Sequence, residues 1–149
     1  MASSHARPSS GSTDRVCEMI FIDTNIAIAL RDNDFETRER IRALGRFPVI
    51  SMISRIELEN GVNIEPAGLN TRRHLLERLL EALHVEMFTA ADIYAYGQIV
   101  YDLGHDRMRT LDRLIAAQAI ARDARLITRN GKDFRRINGL KLEEWETPA

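Results

Sequence analysis

Acidic and amide side chains occur in this sequence where apolar runs end or helical segments begin. Five of them share this placement although they lie far apart along the chain: Asp23, Glu57, Asp112, Asn130 and Asp133. Carboxylates that meet in one cleft repel each other and raise each other's pKa unless a cation compensates. Oxygen-only ligands select a hard ion, Mg²⁺ or Mn²⁺. Such a centre is suited to the hydrolysis of a phosphodiester.

Each of these residues also has an ordinary structural explanation. Asp23 could cap the helix that comes after it, and Glu57 fits a helix-starting capping box. Asp112 suits the positive end of a helix dipole. Asn130 belongs to a turn dipeptide, and Asp133 could cap the next turn of the chain. These explanations account for the residues singly, but they do not account for their joint placement at strand ends.

Short apolar runs alternate with helical patterns along the rest of the chain. Strands are predicted at residues 19–22, 47–50, 85–88, 125–128 and 140–145. Helices are predicted at residues 25–30, 34–45, 54–61, 71–84, 89–104 and 110–124. Ser54 and Glu57 match a capping box at the start of the third helix, and Gly61 ends it. The alternation predicts an α/β sandwich around a short, mostly parallel central sheet. In such sheets, ligands bind beyond the carboxyl ends of the strands.

Composition sets the remaining limits. The chain has 149 residues, 44% of them hydrophobic, and a formal net charge of −1, which excludes an overall basic field for nucleic acid. Residues 1–18 are rich in Ser and predict a flexible leader or cloning remnant, which leaves one domain over residues 19–149. Cys17 is the only cysteine, so no disulfide framework is expected. No apolar run is long enough to cross a membrane, and a cytoplasmic location is expected.

Four stretches together resemble a known family. They read "FIDTNIAIAL", "ISMISRIELENGV", "LDRLIAAQAIARDARLITRNGKDF" and "INGLKLEEW". In this order and spacing they resemble the PIN-domain ribonucleases, specifically the VapC-type toxins of toxin–antitoxin pairs. The resemblance implies a PIN-like α/β/α sandwich and a metal-dependent endoribonuclease with four acidic residues.

The resemblance assigns roles to the residues that match its motifs. Asp23, Glu57 and Asp112 take the places of the first three acids. The fourth place is either that of Asn130, where some relatives carry an acid, or that of Asp133, since many relatives have Asn at the first position and an acid three residues later. We expect Asp23 and Asp112 to hold the principal Mg²⁺, with Glu57 binding directly or through water. This hypothesis requires that the three acids lie close enough to share one cation.

Other residues near these acids are predicted to support them or to bind RNA. Those expected to orient the carboxylates or a water are Thr24, Asn25, Thr128 and Asn130. Those expected to contact the RNA backbone are Arg109, Arg113, Arg129 and Lys132. For any one of these cations, a solvated surface position is an equally good explanation.

The resemblance also implies partners. Relatives act as homodimers and are silenced by an antitoxin that binds the acidic cleft, and we would look for its groove at helices 25–44 and 71–83. This chain shows no helix-turn-helix signature, so DNA contact is expected only through the antitoxin. No membrane partner is expected.

Three rival functions remain open from the sequence. One is an RNA-processing nuclease of the same fold, and another is a catalytically weak PIN module that acts in a regulatory complex. The third is an aspartate-nucleophile phosphatase, which also places an Asp after its first strand and uses Mg²⁺. It would require a second Asp at the position of Asn25.

Overall fold

The computed structural model describes residues 18–146. Its centre is one sheet of five strands in the order β3-β2-β1-β4-β5, and every pair of neighbours is parallel. The strands are β1 (Ile20–Ile22), β2 (Val49–Ser51), β3 (His84–Glu86), β4 (Arg125–Thr128) and β5 (Lys141–Glu144). The predicted α/β class and parallel sheet are therefore confirmed. The leader predicted at residues 1–18 lies almost wholly outside the described residues.

Helices cover both faces of this sheet. They are α1 (Thr24–Arg31), α2 (Phe35–Ala43), α3 (Met52–Val62), α4 (Leu69–Ala82), α5 (Ala90–Leu103) and α6 (Thr110–Ala121). Short 3-10 turns at Arg107–Arg109 and Gly131–Asp133 complete the chain. Helices α1, α3 and α4 contribute Ile26, Leu58 and Leu76 to one buried cluster, whereas α5 and α6 contribute Ile99 and Ile115 to another. This is a three-layer α/β/α arrangement. None of the described helices has the length and apolar character needed to cross a bilayer.

The central strands are apolar because both of their faces are covered. All three residues of β1 are buried, and Leu126 and Ile127 of β4 are fully buried. Continuous apolar runs of this kind are typical of parallel strands packed between helices. Ile22 pairs with Ile127, so β1 and β4 end side by side at the carboxyl edge.

Several local predictions were wrong at α3 and β3. Helix α3 begins at Met52, directly after β2, and its N-cap is Ser51, whose side chain accepts a 2.9 Å hydrogen bond from the Ile53 N–H. Ser54 is therefore an interior helical residue rather than a cap, and Glu57 lies in the second turn rather than the first. Gly61 lies within the helix, which ends at Val62. Strand β3 begins at His84 and ends at Glu86, before the predicted end at residue 88.

The carboxyl edge is held by backbone hydrogen bonds across the sheet. The Asp23 N–H donates to the Ile127 carbonyl at 2.8 Å, immediately after β1. The Trp145 N–H donates to the Thr128 carbonyl at 2.8 Å, immediately after β5. These bonds fix the positions from which the acidic side chains project.

Candidate active site

Asp23 lies where β1 passes into α1, and only 6% of the residue is exposed. Its side chain accepts hydrogen bonds from the Thr24 N–H at 2.8 Å and from the Thr128 hydroxyl at 2.7 Å. Burial raises the pKa of this carboxyl, and the hydrogen bonds from Thr128 and Thr24 oppose part of that rise. Asp23 is the N-cap of α1, as the structural explanation expects. Capping does not remove the cost of holding its charge at a buried position.

Glu57 reaches the same edge from α3. It accepts a 2.7 Å hydrogen bond from the Thr24 hydroxyl, which lies next to Asp23 in the chain. The Thr24 hydroxyl also lies 2.9 Å from the hydroxyl of Ser54, one helical turn before Glu57. Burial raises the pKa of Glu57, the Thr24 bond lowers it, and the charge of Asp23 raises it further. Thr24 therefore ties two of the predicted acids together.

Asp112 lies in the first turn of α6, as predicted. Burial and, after it, the charges of Asp23 and Glu57 raise its pKa to about 6, while the charge of Arg109 opposes this rise. An ordinary Asp has a pKa near 3.9, so this shift marks a carboxyl that faces other carboxylates without full compensation. The three acids predicted from separate segments thus act on one another electrostatically.

We call Asp23, Glu57 and Asp112 the acid edge. Three carboxylates that disfavour each other's charge form a donor set that a hard divalent cation would stabilise, and in this chemistry they fit Mg²⁺ or Mn²⁺. Between residues 18 and 146, however, no three acidic, His or Cys side chains already form a group shaped to hold a metal ion. The carboxylates would therefore have to turn toward an ion as it binds.

The fourth predicted acid has a different environment. Asp133 is paired through one carboxylate oxygen with the guanidinium of Arg109 and through the other with the amide of Asn130. The carboxylates that raise the pKa of Asp112 are Asp23 and Glu57. Asp133 is therefore set apart from the acid edge by its own positive partner.

Comparison with known proteins identifies the group to which this arrangement belongs. Residues 20–140 match the family described as PIN domain. This chain belongs to the PIN-domain family. The six helices and the parallel five-stranded sheet found within residues 18–146 agree with that fold.

The similar proteins are VapC-type members of the family. Ribonuclease VapC2 of Rickettsia felis is 32% identical over 130 residues, which cover 84% of this chain and 96% of that protein. The tRNA(fMet)-specific endonuclease VapC of Shigella flexneri is 28% identical and covers 83% of this chain and 96% of its own. A crystal structure of VapBC2 from Rickettsia felis bound to a promoter DNA fragment superposes with a TM-score of 0.77 at 28% identity. It covers 86% of this chain and 99% of the matched chain.

The four cations predicted to bind RNA occupy unlike positions in this PIN domain. Arg113 is only 7% exposed and donates to the Gly104 carbonyl at 2.6 Å, so its guanidinium holds the loop before α6. Arg129 is directed at α2, where it contacts the Thr37 hydroxyl and lies 3.6 Å from Asp34. Arg109 and Lys132 keep access to solvent.

The four supporting residues are all found near the acids. Thr24 and Thr128 contact them directly, and the Asn130 N–H donates to the Thr128 hydroxyl at 3.0 Å. The Asn25 side chain instead accepts a 3.4 Å bond from the Arg129 N–H, which fixes the turn after β4. Asn25 therefore acts on the backbone rather than on a carboxylate.

Sequence reasoning missed one residue of the site and one pairing between two residues that it had named. Ser54 is fully buried against Thr24, and its position three residues before Glu57 on one helical face was the available signal. The capping-box interpretation hid it. Arg109 pairs with Asp133, which lies 24 positions further along the chain, and no local sequence pattern indicates this pairing.

Proposed function

We propose that this protein is an endoribonuclease dependent on Mg²⁺ or Mn²⁺ and the toxin of a toxin–antitoxin pair. The observation that carries this proposal is the acid edge, where the Thr24 hydroxyl joins Glu57 to the segment of Asp23 and where burial, together with the charges of Asp23 and Glu57, raises the pKa of Asp112 to about 6. Membership of the PIN-domain family and similarity to proteins named as ribonucleases support RNA as the substrate.

The acids have distinct tasks in this proposal. Asp23 and Asp112 hold the principal metal ion, and Glu57 joins them directly or through a water. The bound ion supplies Lewis-acid stabilisation of the charge that develops on the phosphate. Thr24 and Thr128 keep Glu57 and Asp23 oriented through hydroxyl hydrogen bonds of 2.7 Å. Hydrolysis leaves 3′-hydroxyl and 5′-phosphate ends.

An RNA cleavage assay with and without a chelator tests the metal and the acids together. Asp23→Asn and Asp112→Asn should each abolish cleavage in Mg²⁺, and the chelated wild type should be equally inactive. Asp102→Asn, an exposed acid on α5, is the matched control and should keep full activity. Full activity of either site variant at unchanged circular dichroism would refute the assignment. Mapping of cleavage sites in total cellular RNA after induction would then identify the substrate.

A groove between α2 and α4 is the proposed antitoxin site, in agreement with the helices named from the sequence. It encloses about 820 Å³. Its apolar lining is Leu30, Ile41, Phe47, Leu75, Leu79 and Leu83. Its basic lining is Arg31, Arg38, Arg42, Arg46 and Arg78. An amphipathic antitoxin segment with acidic flanks would match both linings. The solved relative is a VapBC complex bound to DNA, and we propose that DNA contact here also runs through the antitoxin.

A homodimer belongs to the same proposal. Helix α5 exposes Ile93, Tyr94 and Tyr101 by 57%, 73% and 86% on its outer side. Tyr94 and Tyr101 lie two turns apart on the same face of the helix with Ile93 beside them, so a second copy could cover all three side chains. Sedimentation of wild type and of Tyr101→Glu tests this surface, and an unchanged dimer in the variant would exclude it. A cytoplasmic location, where RNA and the antitoxin are made, completes the proposal.

One observation favours a second candidate, a catalytically weak PIN module that acts in a regulatory complex. Arg109 already neutralises Asp133, one of the four predicted acids. Calorimetric titration with Mn²⁺ separates the candidates, because a module without catalysis would bind the ion weakly or not at all.

A further inference from the structure

We propose that Asp133 is a positioning residue for Arg109 rather than a metal ligand, and that Arg109 contacts a phosphate of the RNA beside the acid edge. The claim that Arg109 contacts RNA, the RNA half, rests on the proposed function. The claim that Asp133 is not a metal ligand, the metal half, concerns the protein and the ion alone.

Both oxygens of Asp133 are already engaged by donors from the protein. One accepts from Arg109 and the other from the side chain of Asn130, and the backbone N–H of Asp133 donates to the Asn130 carbonyl at 3.2 Å. Only 10% of the Asp133 side chain is exposed. To bind a metal ion with either oxygen, Asp133 would have to give up its contact with Arg109 or with Asn130. That loss is costly because the side chain is largely buried.

Arg109 is placed between this anchor and the acid edge. It ends the 3-10 turn at Arg107–Arg109 and precedes Asp112 by three residues at the start of α6. Residues three apart at the start of a helix lie on the same side of it, so the side chains of Arg109 and Asp112 are neighbours. Without an anchor, a neighbouring guanidinium would be drawn onto the acid edge and would compete with the cation. Asp133 holds it to one side.

The side chain of Arg109 also has capacity left for a ligand. Its 41% exposure contrasts with that of Arg113 and Arg129, which are directed at the Gly104 carbonyl and at Thr37. A guanidinium carries five N–H donors in a planar fork, and the contact with Asp133 uses one edge of it. The remaining donors suit the bidentate recognition of a phosphate. Arg109 is therefore the predicted RNA cation best placed to contact a phosphate next to the acids.

The metal half is tested by calorimetric titration with Mn²⁺ of Arg109→Ala and of the double variant Arg109→Ala/Asp133→Asn. Removal of Arg109 from both eliminates any competition between its guanidinium and the ion. We expect the two dissociation constants to agree within about threefold, whereas Arg109→Ala/Asp112→Asn should bind at least about tenfold more weakly. A tenfold loss in the Asp133 double variant would show that Asp133 is a ligand and would overturn the proposal. Circular dichroism confirms that each variant is folded.

The RNA half is tested by steady-state cleavage of a labelled single-stranded RNA in saturating Mg²⁺, so that a guanidinium released from Asp133 does not displace the ion. Arg109→Ala and Asp133→Asn should each raise KM about tenfold with kcat changed by less than about threefold, and the double variant should raise KM no further. Arg107→Ala, on the same exposed turn, is the matched control and should leave KM unchanged. Arg109→Lys should recover only part of the loss, because Lys lacks the planar fork.

Two outcomes would overturn this half. Additive KM effects would mean that Asp133 and Arg109 act independently, and a fall in kcat at unchanged KM for Asp133→Asn would place Asp133 in the chemistry. A wild type that cleaves no RNA would refute the proposed function and the phosphate contact together. The Mn²⁺ titration would still decide whether Asp133 is a ligand.

Discussion

Buried acids occur in two regions of this protein, and they are treated in opposite ways. At the acid edge, Asp23 is 6% exposed and accepts hydrogen bonds from Thr24 and Thr128, which carry no charge. In helix α5, Asp92 is fully buried and is held by the guanidinium of Arg122 at 2.6 Å. Arg122 also pairs with Glu86 at 3.0 Å. We call these three residues the Arg122 cluster.

The difference shows what separates a structural acid from a candidate ligand. Burial is common to both regions, so burial alone does not mark function. Compensation is what differs, because the Arg122 cluster balances its carboxylates with a cation from the chain. At the acid edge, burial and the charge of Asp23 raise the pKa of Glu57, and burial and the charges of both raise the pKa of Asp112. Uncompensated charge in a cleft is a recognised mark of functional sites.

The largest expected effect comes from neutralising an acid at the acid edge. Asp112→Asn should lower RNA cleavage at least about 100-fold, because it removes both a charge and a ligand oxygen from the proposed metal centre. Its thermal midpoint in the absence of metal should equal or exceed that of wild type, because a mutually repelling carboxylate is gone. Parallel cleavage and thermal unfolding assays check this. A lower midpoint together with lost cleavage would indicate that Asp112 supports the fold.

The same chemical change in the Arg122 cluster should have the reverse outcome. Asp92→Asn leaves the guanidinium of Arg122 without its closest partner at a largely buried position. We expect the free energy of unfolding to fall by about 3 kcal/mol, as for broken buried ion pairs. Urea unfolding measures this, with Asp102→Asn on the same helix as control. Cleavage per folded molecule should be unchanged. A loss of cleavage in folded protein would mean that the Arg122 cluster is not purely structural.

The pH dependence of stability sharpens the comparison further. Because the folded pKa of Asp112 is raised from 3.8 to about 6, the folded state binds more protons than the unfolded state between these values. Stability contributed by this group is therefore greatest at low pH and falls as the pH rises toward 6. Thermal unfolding in a chelator from pH 5 to pH 7 should show this fall in wild type. It should be reduced in Asp112→Asn and in wild type with excess Mn²⁺, and an unchanged slope in both would argue against the raised pKa.

The smallest effect is expected two residues away from Glu57, at Glu59. Its side chain bonds Arg73 at 2.6 Å and Arg55 at 2.9 Å, and these bonds lower its pKa to about 2. Glu59→Gln should leave cleavage unchanged and reduce stability only slightly, because exposed ion pairs contribute little. Glu57→Gln, on the same helix, should impair cleavage. Equal cleavage by the two variants would remove Glu57 from the proposed site.

Much of this arrangement could be predicted from local patterns. The apolar run before Asp23 and the run at residues 125–128 specify buried strands, and parallel strands bring their ends to one edge. Asp112 lies in the first turn of α6, so the start of that helix determines its position. These inferences required only periodicity and strand direction.

The features that could not be predicted depend on contacts between distant segments. Ser54 and Glu57 have the spacing of a capping box, but Ser51 caps the helix because α3 comes after β2 without a loop. Arg113 was expected at the surface, yet it is buried because the Gly104 carbonyl, nine residues earlier, accepts from its guanidinium. The partner of Asp133 is a residue on a different turn. Charge and propensity do not reveal such pairings.

The Trp145 N–H, just past β5, donates to the carbonyl of Thr128, whose hydroxyl holds Asp23. During translation, the ribosome makes this tryptophan after every other element of the sheet, and it leaves the exit tunnel after them. We therefore expect a nascent chain in which Trp145 has not yet emerged to lack the last support of its acid edge. Under the proposed function, this order of assembly would delay cleavage of the RNA of the machinery that is producing the chain.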